Sequence, residues 1–298
     1  MNSKKESLWS KVSTFLVFAG PATFAFLAVV IVPFLYGVYL TFTSWDGVSS
    51  NKPFVGLKNY AAVVADSSFW QSLGLTLLYV VVSVILVNVI GFLLALLVTG
   101  KIKGKNFFRA GFFTPNLIGG IILGYIWQFI FEIVFSQLIF NKDGIINIPF
   151  FCNMLQDRYK AMIALAILVT WQMAGYMMLI YTTGLNNIPT DLSEAAAIDG
   201  ANVFQRFRYI TIPMLMPSFT IVFFLTLSKC FMLLDPNVAL TDGNFNTRLL
   251  AMQILRTTKD TNPPDYGLAQ AQAVIFFLLI AAVTLTQVVV TKKKEVEM

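Results

Sequence analysis

The sequence has no histidine and only two cysteines. The first absence removes imidazole acid–base chemistry and the commonest nitrogen ligand for zinc. The second leaves no disulfide framework: Cys152 falls in a polar stretch and Cys230 in an apolar run, far apart in the chain. Charge is also scarce, at 12% of 298 residues, where soluble domains carry roughly 25%. Soluble proteins keep much of their surface polar, and a chain with 57% hydrophobic residues cannot do so at this length. Hydrocarbon accepts such a surface. The composition therefore predicts an all-α, polytopic membrane protein, because in lipid every backbone polar group must be satisfied within its own segment.

The net charge of +6 does not indicate nucleic acid, since the basic residues sit at the ends of apolar runs. Six runs are long enough to span a bilayer: Val12–Phe42, Phe69–Thr99, Ala110–Phe135, Ala161–Thr183, Leu215–Leu234 and Ala269–Val290. The first exceeds a signal-peptide core of roughly 7–15 residues and reads as a permanent span. The short linker holding Lys101, Lys103, Lys105 and Arg109, and the end holding Lys292, Lys293 and Lys294, are densely basic. Positive residues accumulate on the cytoplasmic side, so both termini are expected there. The 184–214 loop falls on that side too. No tandem repeat and no segment able to fold as a soluble domain is evident.

That loop carries an ordered pattern. Pro189 fixes the approach, Thr190 is the expected N-cap, and Asp191 and Glu194 favour the positive end of a helix. Ala195, Ala196 and Ala197 are strong helix formers, and Gly200 suits a left-handed C-terminal position. A second helix is expected from Asn202 to about Thr211, ending before Pro213. The pattern predicts two short helices joined by a sharp turn. They either project to meet another protein, or lie on the membrane with Phe204, Phe207 and Tyr209 in the headgroups.

Glu194-Ala195-Ala196, then Asp199-Gly200-Ala201, then Ile212-Pro213 resembles the signature loop of ABC transporter permeases that work with a binding protein. Asp235, Leu240-Thr241, Gly243 and Thr247 resemble an outer-loop pattern of the sugar-type members, the group of the larger maltose-permease subunit. Asn244 and Phe245 stand where that pattern usually has Gly and Pro. Tyr266-Gly267-Leu268-Ala269 resembles the start of their last span. The resemblance implies a single transmembrane permease domain over residues 1–298 in a bacterial cytoplasmic membrane. It implies a pathway shared with a second permease subunit, an ABC ATPase dimer that binds ATP and Mg, and an extracytoplasmic solute-binding protein delivering a carbohydrate. It assigns Glu194, Ala195, Ala196, Ala197, Asp199, Gly200 and Ala201 to the coupling helix that meets the ATPase.

The chain itself is not expected to hydrolyse ATP or to hold a cofactor or metal. Gly100–Lys105 comes near a phosphate loop, but its spacing is one residue short and Asn106 stands where the metal-binding hydroxyl belongs. Sugars are held by aromatic faces and hydrogen-bonding groups. The candidates near or within spans are Asn116, Tyr125, Gln128, Trp171, Gln172, Tyr176, Gln270 and Gln272, with Trp127 beside them. Each competes with an interfacial or helix-bridging role. Lys229 is an ionisable residue inside a span, expected to reach an interface or to pair with Glu132 or Asp235. Gly120 and Gly124 form a Gly-x-x-x-Gly pair suited to close helix approach. Glycerol phosphate or polyamines remain alternative solutes. A self-sufficient secondary transporter would show broken helices repeated in two halves. An embedded enzyme would need clustered catalytic groups.

Overall fold

The computed structural model describes residues 8–100, 102–142 and 144–295. Lys101, used above for orientation, lies outside them. The described residues are helical, and their sole extended pairing is one bridge between Thr43 and Phe54. Five helices are long and apolar enough to cross a membrane, or six if one bent pair is a single span. The chain divides into two compact units, residues 1–66 with 254–275 and residues 67–253 with 276–298.

The first unit contains α1 (Leu8–Phe18), α2 (Gly20–Leu40) and α3 (Lys58–Ala65). The expected span Val12–Phe42 is thus interrupted at Ala19, just before Pro21, whose ring fits the first turn of a new helix. Almost all of α2 is exposed in the isolated chain. A buried amide organises the segment that follows. Asn59 Nδ2 donates to the Thr41 carbonyl (2.8 Å) and the Thr43 carbonyl (2.9 Å). The backbone N–H groups of Ser49 and Val48 bond to the Asp46 carboxylate and hold its pKa below the ordinary value.

The second unit is built on α4 (Ser67–Thr99) and α7 (Arg158–Asn186). They approach closely because Gly91 leaves room for Met177 and the Ala174 carbonyl. Asn88 accepts the Tyr181 hydroxyl at 2.8 Å, so a buried polar pair joins the two helices. Asp157 caps α7 by accepting the N–H groups of Tyr159 and Lys160, both at 3.0 Å.

The third apolar run differs most from expectation. It is not one span over Ala110–Phe135. It forms α5 (Lys105–Phe113), a 3-10 turn (Thr114–Leu117) and then α6 (Gly120–Ile139). Pro115 has no N–H to donate back along a helix, and Ile118 and Gly119 are extended. The break is repaired from outside: Gln172 on α7 donates to the Ile118 carbonyl at 3.2 Å. The last ten residues of α6 are π-helical.

Beyond α7, the chain forms α8 (Thr190–Ile198), α9 (Val203–Met214) and α10 (Met216–Phe231). The last two meet at 63° around Leu215, between Pro213 and Pro217. Short helices α11 (Asp235–Thr241) and α12 (Leu250–Thr257) precede α13 (Tyr266–Lys292). The Gly-x-x-x-Gly pair on α6 meets α11. A Cβ on Gly120 would come within 2.9 Å of Asp235 Cβ, and one on Gly124 within 2.5 Å of Ala239 Cβ.

A methyl group at Gly124 therefore has no room, and overpacking of this kind costs about 1–3 kcal/mol. Gly124→Ala is expected to lower the thermal unfolding midpoint of the purified protein. Gly111→Ala is the matched control, because nothing lies within 4 Å of its added Cβ. Equal midpoints for the two variants would contradict the α6–α11 contact.

Candidate functional site

Two features carry functional geometry, one at each end of the second unit. Successive spans alternate sides, so the 187–214 segment and the 232–249 segment lie at opposite ends of α10.

In the first feature, α8 projects. None of its residues is buried. Its start differs from expectation: the cap position falls on Pro189, and the Thr190 hydroxyl points to Asp191 (3.4 Å) instead of capping. Pro189 already holds the extended backbone that a cap residue needs. The other end is closed as the sequence predicts. Gly200 has φ +86°, its N–H bonds to the Ala197 carbonyl (3.1 Å), and the Ala201 N–H reaches back to Ala196 (2.9 Å). This left-handed turn fixes the angle between α8 and α9.

Glu194, Ala195, Ala197 and Asp199 are exposed along α8, while Ala196 and Ser193 are half-buried on its inner face. Arg206 donates to the Ser193 hydroxyl at 3.4 Å, bracing α8 against α9. Asn202 and Gln205 form a reciprocal capping box at 2.9 and 2.8 Å that starts α9. The second helix does not end before Pro213. It passes through a π-helical turn at Phe207–Thr211 and continues to Met214. The wider turn displaces the carbonyl that the proline ring would strike.

The aromatic residues of this loop divide between two roles. Phe204 and Tyr209 are exposed, whereas Phe207 turns inward. Its ring lies 6.1 Å from Phe92 of α4, which is 5.4 Å from Tyr181 of α7 and 5.5 Å from Phe219 of α10. One residue of the loop thus touches a cluster drawn from three long helices. On the outside, Leu192, Ile198, Val203 and Phe204 leave an apolar surface beside the carboxylates.

The second feature is the 235–249 segment, pinned by a residue that sequence reasoning did not single out. Asn237 is fully buried. Its Nδ2 donates to the Thr241 hydroxyl and the Thr247 carbonyl, both at 3.0 Å, and its Oδ1 accepts the Leu249 N–H at 3.1 Å. Leu250 N–H then bonds to Thr76 of α4 at 2.8 Å. Within this frame Asp242, Gly243, Phe245 and Asn246 all have positive φ. For a residue with a Cβ this conformation costs roughly 1–2 kcal/mol, and for a bulky one it is an outlier. Phe245 is held there at φ +54° with its ring exposed.

The sugar-contact candidates separate by environment. Tyr125 and Gln128, with Glu132 one turn on, share a polar cavity of about 360 Å³ with Gln156, Asp242 and Phe245. Trp171 instead lines an apolar cavity of about 440 Å³ with Trp127, their rings 5.6 Å apart. Asn116 lies in the 3-10 turn and not in a span, and Gln172 closes the helix break. Tyr176 packs 6.4 Å from Phe113. In the first unit, Gln270 lies against Gly37, and buried Gln272 bonds to Thr257 (2.9 Å) and Asp66 (3.5 Å). Lys229 is exposed in the last turn of α10, and among the described residues it forms no ion pair with Glu132 or Asp235. All three are exposed, each on a different helix.

Residues 87–296 match the family model described as the binding-protein-dependent transport system inner membrane component. The chain belongs to this family. The permease is 40% identical to a probable starch degradation products transport system permease protein, AmyD, of Thermoanaerobacterium thermosulfurigenes, over 99% of this chain and all of that protein. It is 33% identical to the multiple sugar-binding transport system permease protein MsmF of Streptococcus mutans, over 89% of this chain and 90% of that one. Its fold matches a chain of a bacterial ABC transporter involved in import of the acidic polysaccharide alginate. There the TM-score is 0.78 at 16% identity, covering 96% of this chain and 98% of the other. The permease is a multi-pass, all-helical membrane protein, and the exposed 187–214 segment lies within the family match.

Asn202 is expected to govern the order of α9. Removing an N-cap side chain costs about 1 kcal/mol. Asn202→Ala should speed amide hydrogen exchange over residues 203–211 by roughly fivefold while leaving α4 and α7 unchanged. Unchanged exchange in α9 would refute the capping box.

Proposed function

We propose that the permease forms half of the translocation pathway of an ATP-driven importer for a carbohydrate, most simply an oligosaccharide. The other half is a second permease subunit. An extracytoplasmic binding protein delivers the solute, and two separate ATPase subunits bind ATP and Mg and hydrolyse the nucleotide. The protein sits in a bacterial cytoplasmic membrane with both termini, α8 and α9 on the cytoplasmic side. The likeness to AmyD and MsmF supports the substrate class.

The observation that carries the mechanism is the exposed α8, closed by Gly200 and backed by Phe207. As a docking element, Glu194 through Ala201 enters a cleft of the ATPase. The alanines keep the helix narrow, and Glu194 and Asp199 give it polar contacts. ATPase closure moves α8, and the Gly200 turn carries that movement to α9. Phe207 then pushes on the cluster of Phe92, Tyr181 and Phe219, so α4, α7 and α10 tilt together. Alternating access follows from two discrete packings of these helices.

Purification from the native membrane is expected to recover an ATPase and a second permease with this chain; recovery of neither would refute the assignment. Glu194→Ala should weaken ATPase association or coupling while leaving the permease inserted. Gly200→Val forces a side chain into the left-handed region and should uncouple transport from ATP turnover. If both variants kept transport and turnover linked, α8 would not be the docking element. Thermal shift of the cognate binding protein against a sugar panel tests the substrate class independently.

A further inference from the structure

The apolar cavity of the second unit ends beside a basic helix, and the two together have the outline of a lipid. The cavity, of about 440 Å³, lies among α4, α5, α6 and α7. Leu86, Ile90 and Leu94 line it from successive turns of α4, over about 12 Å at 1.5 Å per residue. It therefore runs lengthwise between the spans, along the membrane normal. Ile90, Gly111 and Trp171 are exposed, so it opens to the side. Its polar groups are the Thr170 hydroxyl and the indole N–H groups of Trp127 and Trp171, and its other side chains are apolar. A sugar entering it would lose more hydrogen bonds to water than these three can replace, whereas a hydrocarbon chain loses none.

α5 closes one end of this cavity. Gly175 lets the Phe112 carbonyl press onto α7, where an added Cβ would strike that oxygen. Phe112 lines the cavity, and the Phe108 ring stacks on it at 6.3 Å. Lys105 and Arg109 stand on the same face of α5 as these rings, because helix positions three, four and seven apart coincide. Arg109 is half-buried and donates to the Val98 carbonyl at 3.4 Å, one turn from Leu94. Its Nε is enclosed without a hydrogen-bond partner. Among the described residues, Lys103, Lys105 and Arg109 form no ion pair. The surrounding sequence supplies no counter-charge either: no Asp or Glu stands between Asp66 and Glu132.

We infer that α5 and this cavity bind one anionic phospholipid from the leaflet on the α8 side. α5 lies between the second and third spans and α8 between the fourth and fifth, so both fall on one side of the membrane. The phosphate meets the Arg109 guanidinium and the Lys105 ammonium through charge-assisted hydrogen bonds. One acyl chain passes Phe108 and Phe112 and runs along the cavity to Trp171 and Trp127. Pro115 also lines the cavity. The chain thus packs where the third span is broken and supplies contacts that an unbroken helix would have made.

The test uses the importer purified with its accompanying subunits, in phosphatidylcholine nanodiscs doped with a phospholipid carrying a brominated acyl chain. Bromine quenches tryptophan fluorescence on contact. The readout is the quenching that disappears in the double variant Trp127→Phe with Trp171→Phe. Brominated phosphatidylglycerol is expected to half-saturate that signal at a mole fraction about tenfold below brominated phosphatidylcholine. Each basic residue near the surface is worth about fivefold, so Lys105→Gln with Arg109→Gln should abolish the preference. Gly111→Leu, whose Cβ has nothing within 4 Å, should fill the mouth of the cavity and lower quenching by both lipids. Lys292→Gln removes a charge from the end of α13 and should leave the curves as in the native complex. Retained subunit association and ATPase activity show that the variants fold. Equal curves for the two lipids in the native complex would overturn the site, as would a preference that survives loss of both basic residues. No quenching at the two tryptophans would mean that another subunit covers this face, and would overturn it as well. If the chain purifies without an ATPase but keeps the lipid preference, the importer reading fails and the lipid site stands.

Discussion

Every backbone polar group in hydrocarbon must find a partner inside the protein, and this permease is arranged around the places where its helices fail to supply one. Pro115 interrupts the third apolar run, and Gln172 reaches across from α7 to the exposed Ile118 carbonyl. Arg109 donates to the Val98 carbonyl in the last turn of α4 at 3.4 Å. Around Leu215, two prolines set a 63° bend instead of a continuous rod. Each break creates a change of direction. The bends set α5 and α9 off from the spans that follow them.

This arrangement gives a loop with no buried residue in α8 a packing contact with the spans. Its outer face exposes carboxylates and an apolar surface. Its inner face is fixed through Arg206 and Ser193, and α9 sends a single ring inward to Phe92. Aromatic clusters pack densely and transmit displacement, because repacking them requires several rings to move together. The opposite end obeys a different logic. There, Asn237 and the threonines hold a turn in a conformation that its residues would not choose alone. One end joins an exposed helix to an aromatic cluster, and the other pins a turn around a cavity.

Much of this was legible in the chain. Pro189, the alanine triplet and Gly200 specify α8 and its stop because those signals are local: proline geometry, helix propensity and tolerance of positive φ act within one turn. The Gly120–Gly124 pair announced a close approach. Other signals misled because they depend on neighbours. Run length alone made Ala110–Phe135 one span, and the break at Pro115 became affordable only through an amide 57 positions on in α7. Thr190 has the chemistry of a cap, yet Pro189 occupies that position. The amide at Gln272 looked like a pathway group and is buried between Thr257 and Asp66.

The sequence by itself determined the environment, the helical class, the two short helices of the 187–214 loop and the family. Composition and local helix chemistry are summed along the chain and need no partner. Tertiary structure decided which polar groups are spent on repairing backbone and which stand open in a cavity. Tyr125 and Gln172 look alike as candidates in one dimension. Only the packing of α6, α7 and the 242–246 turn separates them, because hydrogen-bond satisfaction is a property of what lies across the gap.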